Sequence, residues 1–147
     1  MTQHNFSSRA VANGVELVCA ASIQPEAIAW LWGGWLAAGK FHILAGPPGT
    51  GKTTLAMYFA ATIANGGLRG HGWPDKSFAP AGNVVLWSGE DGIADTIIPR
   101  LLASGESVDR IFVVGETSEN GRSRPFEPAT DLKLLRNKIC EIGNVRL

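Results

Sequence analysis

Neither sign of charge prevails in this chain. Thirteen lysines and arginines balance thirteen aspartates and glutamates, a formal net charge of +0 over 147 residues. No net field therefore draws the chain to nucleic acid or to an anionic membrane. Any such contact has to be local, or assembled from several subunits. Cysteine is scarce as well: Cys19 and Cys140 stand far apart, each inside an apolar stretch. Two distant cysteines do not make the framework of a small secreted domain, and reduced thiols in a cytoplasmic protein are expected in preference to a disulfide. His4, His42 and His71 keep no metal-ligand spacing, and no cluster of cysteine and histidine exists. No basic region followed by an apolar core opens the sequence, so no signal peptide is visible. No apolar run is long enough to span a bilayer. What is present, 45 % hydrophobic and 18 % charged residues, describes a globular chain able to bury one substantial core.

That chain is organised around Gly46-Pro47-Pro48-Gly49-Thr50-Gly51-Lys52-Thr53, followed by Thr54. The pattern is glycine, four residues, then glycine-lysine-threonine, the spacing of a phosphate-binding loop. Residues 41–45 before it form an apolar run that reads as a buried strand, and residues 53–64 after it read as a helix. Gly46, Gly49 and Gly51 allow backbone conformations in which consecutive N–H groups wrap an anion. The helix that follows points unpaired N–H groups and partial positive charge at the same place. Lys52 would reach the β- and γ-phosphates, and the Thr53 hydroxyl would hold Mg²⁺. Residues 46–54 are thus the candidate nucleotide site, with Lys52 also a candidate catalytic group.

In chain order, residues 1–14 are polar and 11–21 mostly apolar. Pro25 suits the first turn of a short helix over 25–31, with 22–24 as the cap region. Trp30, Trp32 and Trp35 flank Gly33-Gly34; a packed turn covering the core edge is favoured over a base-stacking platform, because no cation stands among them before Lys40. His42 reads as a hydrogen-bonded core or edge residue. The helix after the loop is apolar nearly all round, so structure is expected on more than one side of it, and Asn65-Gly66-Gly67 ends it. Residues 66–82 read as a glycine- and proline-rich loop made basic by Arg69, His71 and Lys76. A second strand, 83–88, delivers Gly89-Glu90-Asp91-Gly92 at its carboxyl end, where open α/β sheets bind ligands. Glu90 is the candidate to orient or deprotonate an attacking water. Asp91 is the candidate helix cap or partner, and a second candidate for the metal. A helix over 93–103 with Pro99 as a kink carries Arg100, which faces solvent, a neighbouring subunit or a carboxylate. Residues 111–114 read as a third strand and 115–128 as a polar loop with Arg122 and Arg124. Residues 131–142 read as a helix capped by Thr130, with Leu132, Leu135 and Ile139 on its buried face. Val145-Arg146-Leu147 reads as the start of a further strand. The expectation is a fragment that ends before its magnesium-site strand, and so has little turnover by itself.

Together, the loop at 46–54 and the strand ending in Gly89-Glu90-Asp91, with 38 residues from Lys52 to Glu90, resemble the AAA-type, RecA-like ATPases related to the plasmid replicative helicase RepA. The resemblance spans about residues 23–147. It implies an α/β fold, a three-layer αβα arrangement with a mostly parallel central sheet, incomplete at the C-terminus. Residues 1–38 would be a tryptophan-rich segment packed on a nucleotide-binding core at 39–147. It also implies ATP and Mg²⁺ as ligands, Glu90 as the catalytic glutamate, hexameric rings with ATP between subunits, and hydrolysis stimulated by single-stranded DNA. A regulatory ATP-binding switch without DNA translocation is the alternative, and a small-molecule kinase a weaker third.

Overall fold

The computed structural model describes residues 14, 15, 17–66, 72–103, 108–119 and 121–147. Arg69 and His71 of the basic loop, and most of residues 1–14, lie outside these. The architecture is built around one helix, α1, Lys52–Asn65. Its sequence, rich in alanine with leucine, methionine and aromatics, favours helix and leaves little polar surface to solvate. The consequence is a gradient along its length. The N-terminal turns remain open at the glycine loop, while every residue from Ala60 to Asn65 is buried. Gly66, in the left-handed region at φ 58, donates its N–H to the Thr62 carbonyl and ends the helix, as expected of glycine there.

Two clusters close on α1. Ala60, Ile63 and Ala64 pack with Leu31, Leu36, Trp73, Ala79 and Val84. Met57, one turn earlier, packs with Ile97 and Leu101. Each large apolar side chain so buried stabilises the fold by roughly 1.5–3 kcal/mol. The first cluster includes a small antiparallel hairpin, β1 (Trp30–Trp32) and β2 (Leu36–Ala37), closed by Gly33 and Gly34. Of the three tryptophans, Trp32 is half-buried, whereas Trp30 and Trp35 are 41 % and 70 % exposed. Trp32 stacks on Trp73, with centroids 4.9 Å apart, and meets the edge of Phe59. The helix expected over 25–31 does not form; after a 3₁₀ turn at Ala20–Ser22 the chain runs without regular structure into β1. Seven residues make a marginal helix, whereas Trp30-Leu31-Trp32 gains a pairing strand and a core contact by staying extended.

The central pairing is parallel: β3 (Val84–Leu86) beside β4 (Ile111–Val113), in register from Val84↔Ile111 to Leu86↔Val113. On its other edge β3 meets the C-terminal residues through a parallel bridge, Asn83↔Val145, and a bond from Val85 N to the Leu147 carbonyl. Between β3 and β4 the chain crosses over through a π-turn, Ile93–Ile97, and the helix α2, Ile98–Ala103. The expected kink appears as this change of helix type. Pro99 has no N–H to extend a regular α-helix back through Asp95. Both α1 and α2 lie against this pair.

Further expectations need correction. Residues 41–45 form no strand; Phe41 is 89 % exposed, and His42 Nε2 instead lies 3.1 Å from both Ala37 N and Ala37 O. A strand exists only by pairing, and none of the described strands pairs with this run, so the described residues form three two-stranded sheets rather than one. The polar loop at 115–128 contains a second hairpin, β5 (Glu116–Glu119) with β6 (Arg122–Pro125), whose turn uses Gly121 at φ 77. Opposite charges face each other across it at Glu119↔Arg122. The last helix, α3, is Pro128–Ile142, starting earlier than expected, with Pro128 at its first turn and Glu127 as its cap instead of Thr130. Leu132 lies exposed, while Asp131 is buried, because Asp131 is tied to the hairpin and sets the helix rotation. Within the loop expected over 66–82, Trp73 joins the core: it is 2 % exposed and donates its indole N–H to the Leu31 carbonyl at 2.8 Å.

Candidate phosphate-binding site

The loop at 46–51 leads straight into α1. Gly49 (φ 76) and Gly51 (φ 82) both adopt left-handed backbone, which is why glycine stands at these two positions. Gly51 is the N-cap, without a side chain to offer, and the first intrahelical bond runs from Leu55 N to its carbonyl at 2.9 Å. The N–H groups of Lys52, Thr53 and Thr54 are therefore left by the helix for another acceptor. Thr50 Oγ1 donates to the Pro47 carbonyl at 2.8 Å and braces the loop. Lys52 Nζ donates to the Gly46 and Pro47 carbonyls, each at 2.8 Å, so its ammonium lies inside the curve of the loop. Pro48 belongs to the same exposed loop. Proline at 47 and 48 narrows the backbone choices around it.

The acidic turn follows β3. Ser88 Oγ accepts from Asp91 N at 2.9 Å and from Glu90 N at 3.3 Å, a serine turn that fixes how the two carboxylates leave the strand. Sequence reasoning passed over Ser88; its place two residues before Glu90 was the available signal. Asp91 is no helix cap: Gly92 precedes the π-turn, and the Asp91 carboxylate Oδ2 lies 3.9 Å from Arg100 Nη1. Arg100 thus meets a carboxylate while about half of its side chain stays in solvent. Trp87 meets Phe126 edge to face at 5.9 Å, which links the turn to the segment ahead of α3.

Loop and turn line one cleft of about 510 Å³, Lys52 and Thr53 from the loop and Glu90 and Asp91 from the turn, with Leu86 and Met57 also in its lining. Gly46, Pro47, Thr50 and Thr54 line a neighbouring cleft of about 890 Å³ with Leu55 and Tyr58. Thus the candidate residues from the two stretches do come together. No group of three or more histidine, cysteine, aspartate or glutamate side chains able to hold a metal occurs among the described residues. Cys19 and Cys140 are exposed free thiols.

Compared with known families, residues 10–147 match the AAA domain. The chain belongs to the AAA domain family. Membership brings the P-loop NTPase fold and nucleotide binding of the ATPase type, in accord with the loop geometry above. No match was found among curated proteins or solved structures. No helix of this AAA domain, among the described residues, is long and apolar enough to cross a membrane.

Proposed function

We propose that this AAA domain binds and hydrolyses ATP as a RecA-like motor module, and serves a DNA helicase or helicase-like replication protein of a plasmid, phage or integrated element. The observation that carries the reading is the single cleft that unites Lys52 and Thr53 with Glu90 and Asp91. The two left-handed glycines and the helix start fit a phosphate chain, which would accept from the N–H groups at 52–54 and draw the Lys52 ammonium toward itself. One threonine hydroxyl and two nearby carboxylates fit Mg²⁺, a hard cation that keeps water and phosphate oxygens as its remaining ligands. Bound there, Mg²⁺ would neutralise charge on the transferred phosphoryl group. Thr53 would hold it, with Asp91 as the second candidate, while Glu90 orients the attacking water and takes its proton. The expected partners are single-stranded DNA and further copies of the chain in a hexameric ring, in the cytoplasm.

Calorimetry with Mg-ATP, paired with steady-state turnover, tests the assignment. Lys52→Ala should weaken binding by about tenfold or more, the worth of one charge-assisted contact. Glu90→Gln should leave binding nearly intact and lower turnover on the order of 10²–10⁴-fold. Unchanged affinity in Lys52→Ala removes the loop from the site. Turnover indifferent to single-stranded DNA removes the motor role while leaving the ATPase.

A further inference from the structure

Arg100 stands between the acidic turn and the phosphate loop. Its guanidinium pairs with Asp91 at 3.9 Å, longer than the usual charge-assisted hydrogen bond. It also lines a cleft of about 630 Å³ together with Gly49, Gly51, Lys52, Thr53 and Thr54. This cleft and the one holding Glu90 share Lys52 and Thr53, so Arg100 and Glu90 each line a cleft with the same two residues. The backbone beneath is firmly placed: Leu101 and Ile97 are buried against Met57 of α1, whereas the Arg100 side chain is 49 % exposed.

The charges in these clefts set the problem. Glu90 and Asp91 already supply two carboxylates, and Lys52 and Arg100 are the only cations among the residues lining either cleft. Even with its Mg²⁺, a nucleoside triphosphate entering beside two carboxylates brings more negative charge than Lys52 balances. A guanidinium offers five donors in a planar fork, enough to keep Asp91 on one edge while a phosphate oxygen takes another. Asp91, which Arg100 meets, directly follows Glu90, the residue proposed to act at the terminal phosphate.

We infer that Arg100 is a second cationic contact for the phosphate chain, supplied by the same polypeptide, and that it favours the triphosphate over the diphosphate. This rests on the loop being the nucleotide site. Affinities of wild type, Arg100→Ala, Arg100→Lys and Lys52→Ala are measured by calorimetry with Mg²⁺, for a non-hydrolysable ATP analogue and for ADP. Arg100→Ala should weaken the analogue about tenfold and ADP by less than about threefold, as expected for one charge-assisted contact to the terminal phosphate. Arg100→Lys, which keeps the charge and loses the fork, should fall between and covers the case in which the alanine variant does not fold. Equal losses for the two nucleotides, or none, overturn the inference. Nucleotide binding lost in Lys52→Ala but untouched in both Arg100 variants removes Arg100 alone; no binding by wild type removes the site itself.

Discussion

Arg124 meets Asp131 through two parallel bonds, Nη1 to Oδ2 at 2.7 Å and Nη2 to Oδ1 at 2.8 Å, whereas Arg100 lies 3.9 Å from Asp91. The first carboxylate is 2 % exposed and also accepts from the Thr117 hydroxyl and the Glu127 N–H, both at 2.9 Å. The hydrogen bonds from Arg124, then that from Glu127, hold the Asp131 carboxyl far below the usual carboxylate range, against the opposing effect of burial. Asp131 in turn, with Glu119, holds Arg124 above the usual arginine value. Identical chemistry thus serves two ends. A carboxylate whose lone pairs are all engaged fastens β5, β6 and the first turn of α3 together and has nothing left to offer. A carboxylate met only loosely, at the rim of a cleft, keeps oxygen atoms available for a cation or a second donor.

The sharpest break of that comparison is Asp131→Asn. The amide cannot accept the fork and the two other donors together, so buried donors are left unpaired. The thermal midpoint should fall on the order of 10 °C at pH 7. Because the folded carboxyl is held below its unfolded value, its contribution is complete above about pH 4 and is lost as pH falls through the folded value. Melting curves from pH 7 down to 2 should therefore show a steeper acid loss in wild type than in the variant. Equal slopes would remove Asp131 as the group responsible.

Next in size is Asp91→Asn. An exposed pair at this separation contributes little, so the midpoint should move by no more than about 3 °C, read in the same melts. A fall as large as that of Asp131→Asn would make the two pairs alike and end the contrast.

A small effect of the opposite sign is expected at Thr62, fully buried in α1, whose hydroxyl finds no hydrogen-bond partner among the described residues. Thr62→Val keeps the shape and removes the unsatisfied oxygen, and should raise stability by about 1 kcal/mol in urea titration. A loss instead would show that the hydroxyl has a partner.

What could be read from the residues alone follows the range over which each signal acts. The loop, α1 and its glycine end are written in consecutive residues, and β3 and β4 in short apolar runs, so all were legible. Asp131 looked like any acid in the first turn of a helix; its value comes from Thr117 and Arg124, which only the hairpin brings to it. Trp73 sits in a stretch of glycine and proline that suggested a connector, and its burial depends on Trp32 and Leu31, about forty positions earlier. Residues 41–45 show the converse. Their composition announces a strand, but composition cannot supply the neighbour that a strand needs. At the site, the acids and the lysine were legible by type, while the turn made by Ser88 and the direction of Arg100 depended on three-dimensional placement.

The two carbonyl bonds of Lys52 give the loop an entry threshold. An anion does not simply add itself to a waiting ammonium; it has to outbid the Gly46 and Pro47 oxygens that already hold it. Each such bond to a charged donor is worth about 1.5–3 kcal/mol. A small monovalent anion, touching one or two groups, gains too little from the exchange. A chain of phosphates that also gathers the helix-start N–H groups gains enough, so the lysine filters its visitors by how many donors they can satisfy at once.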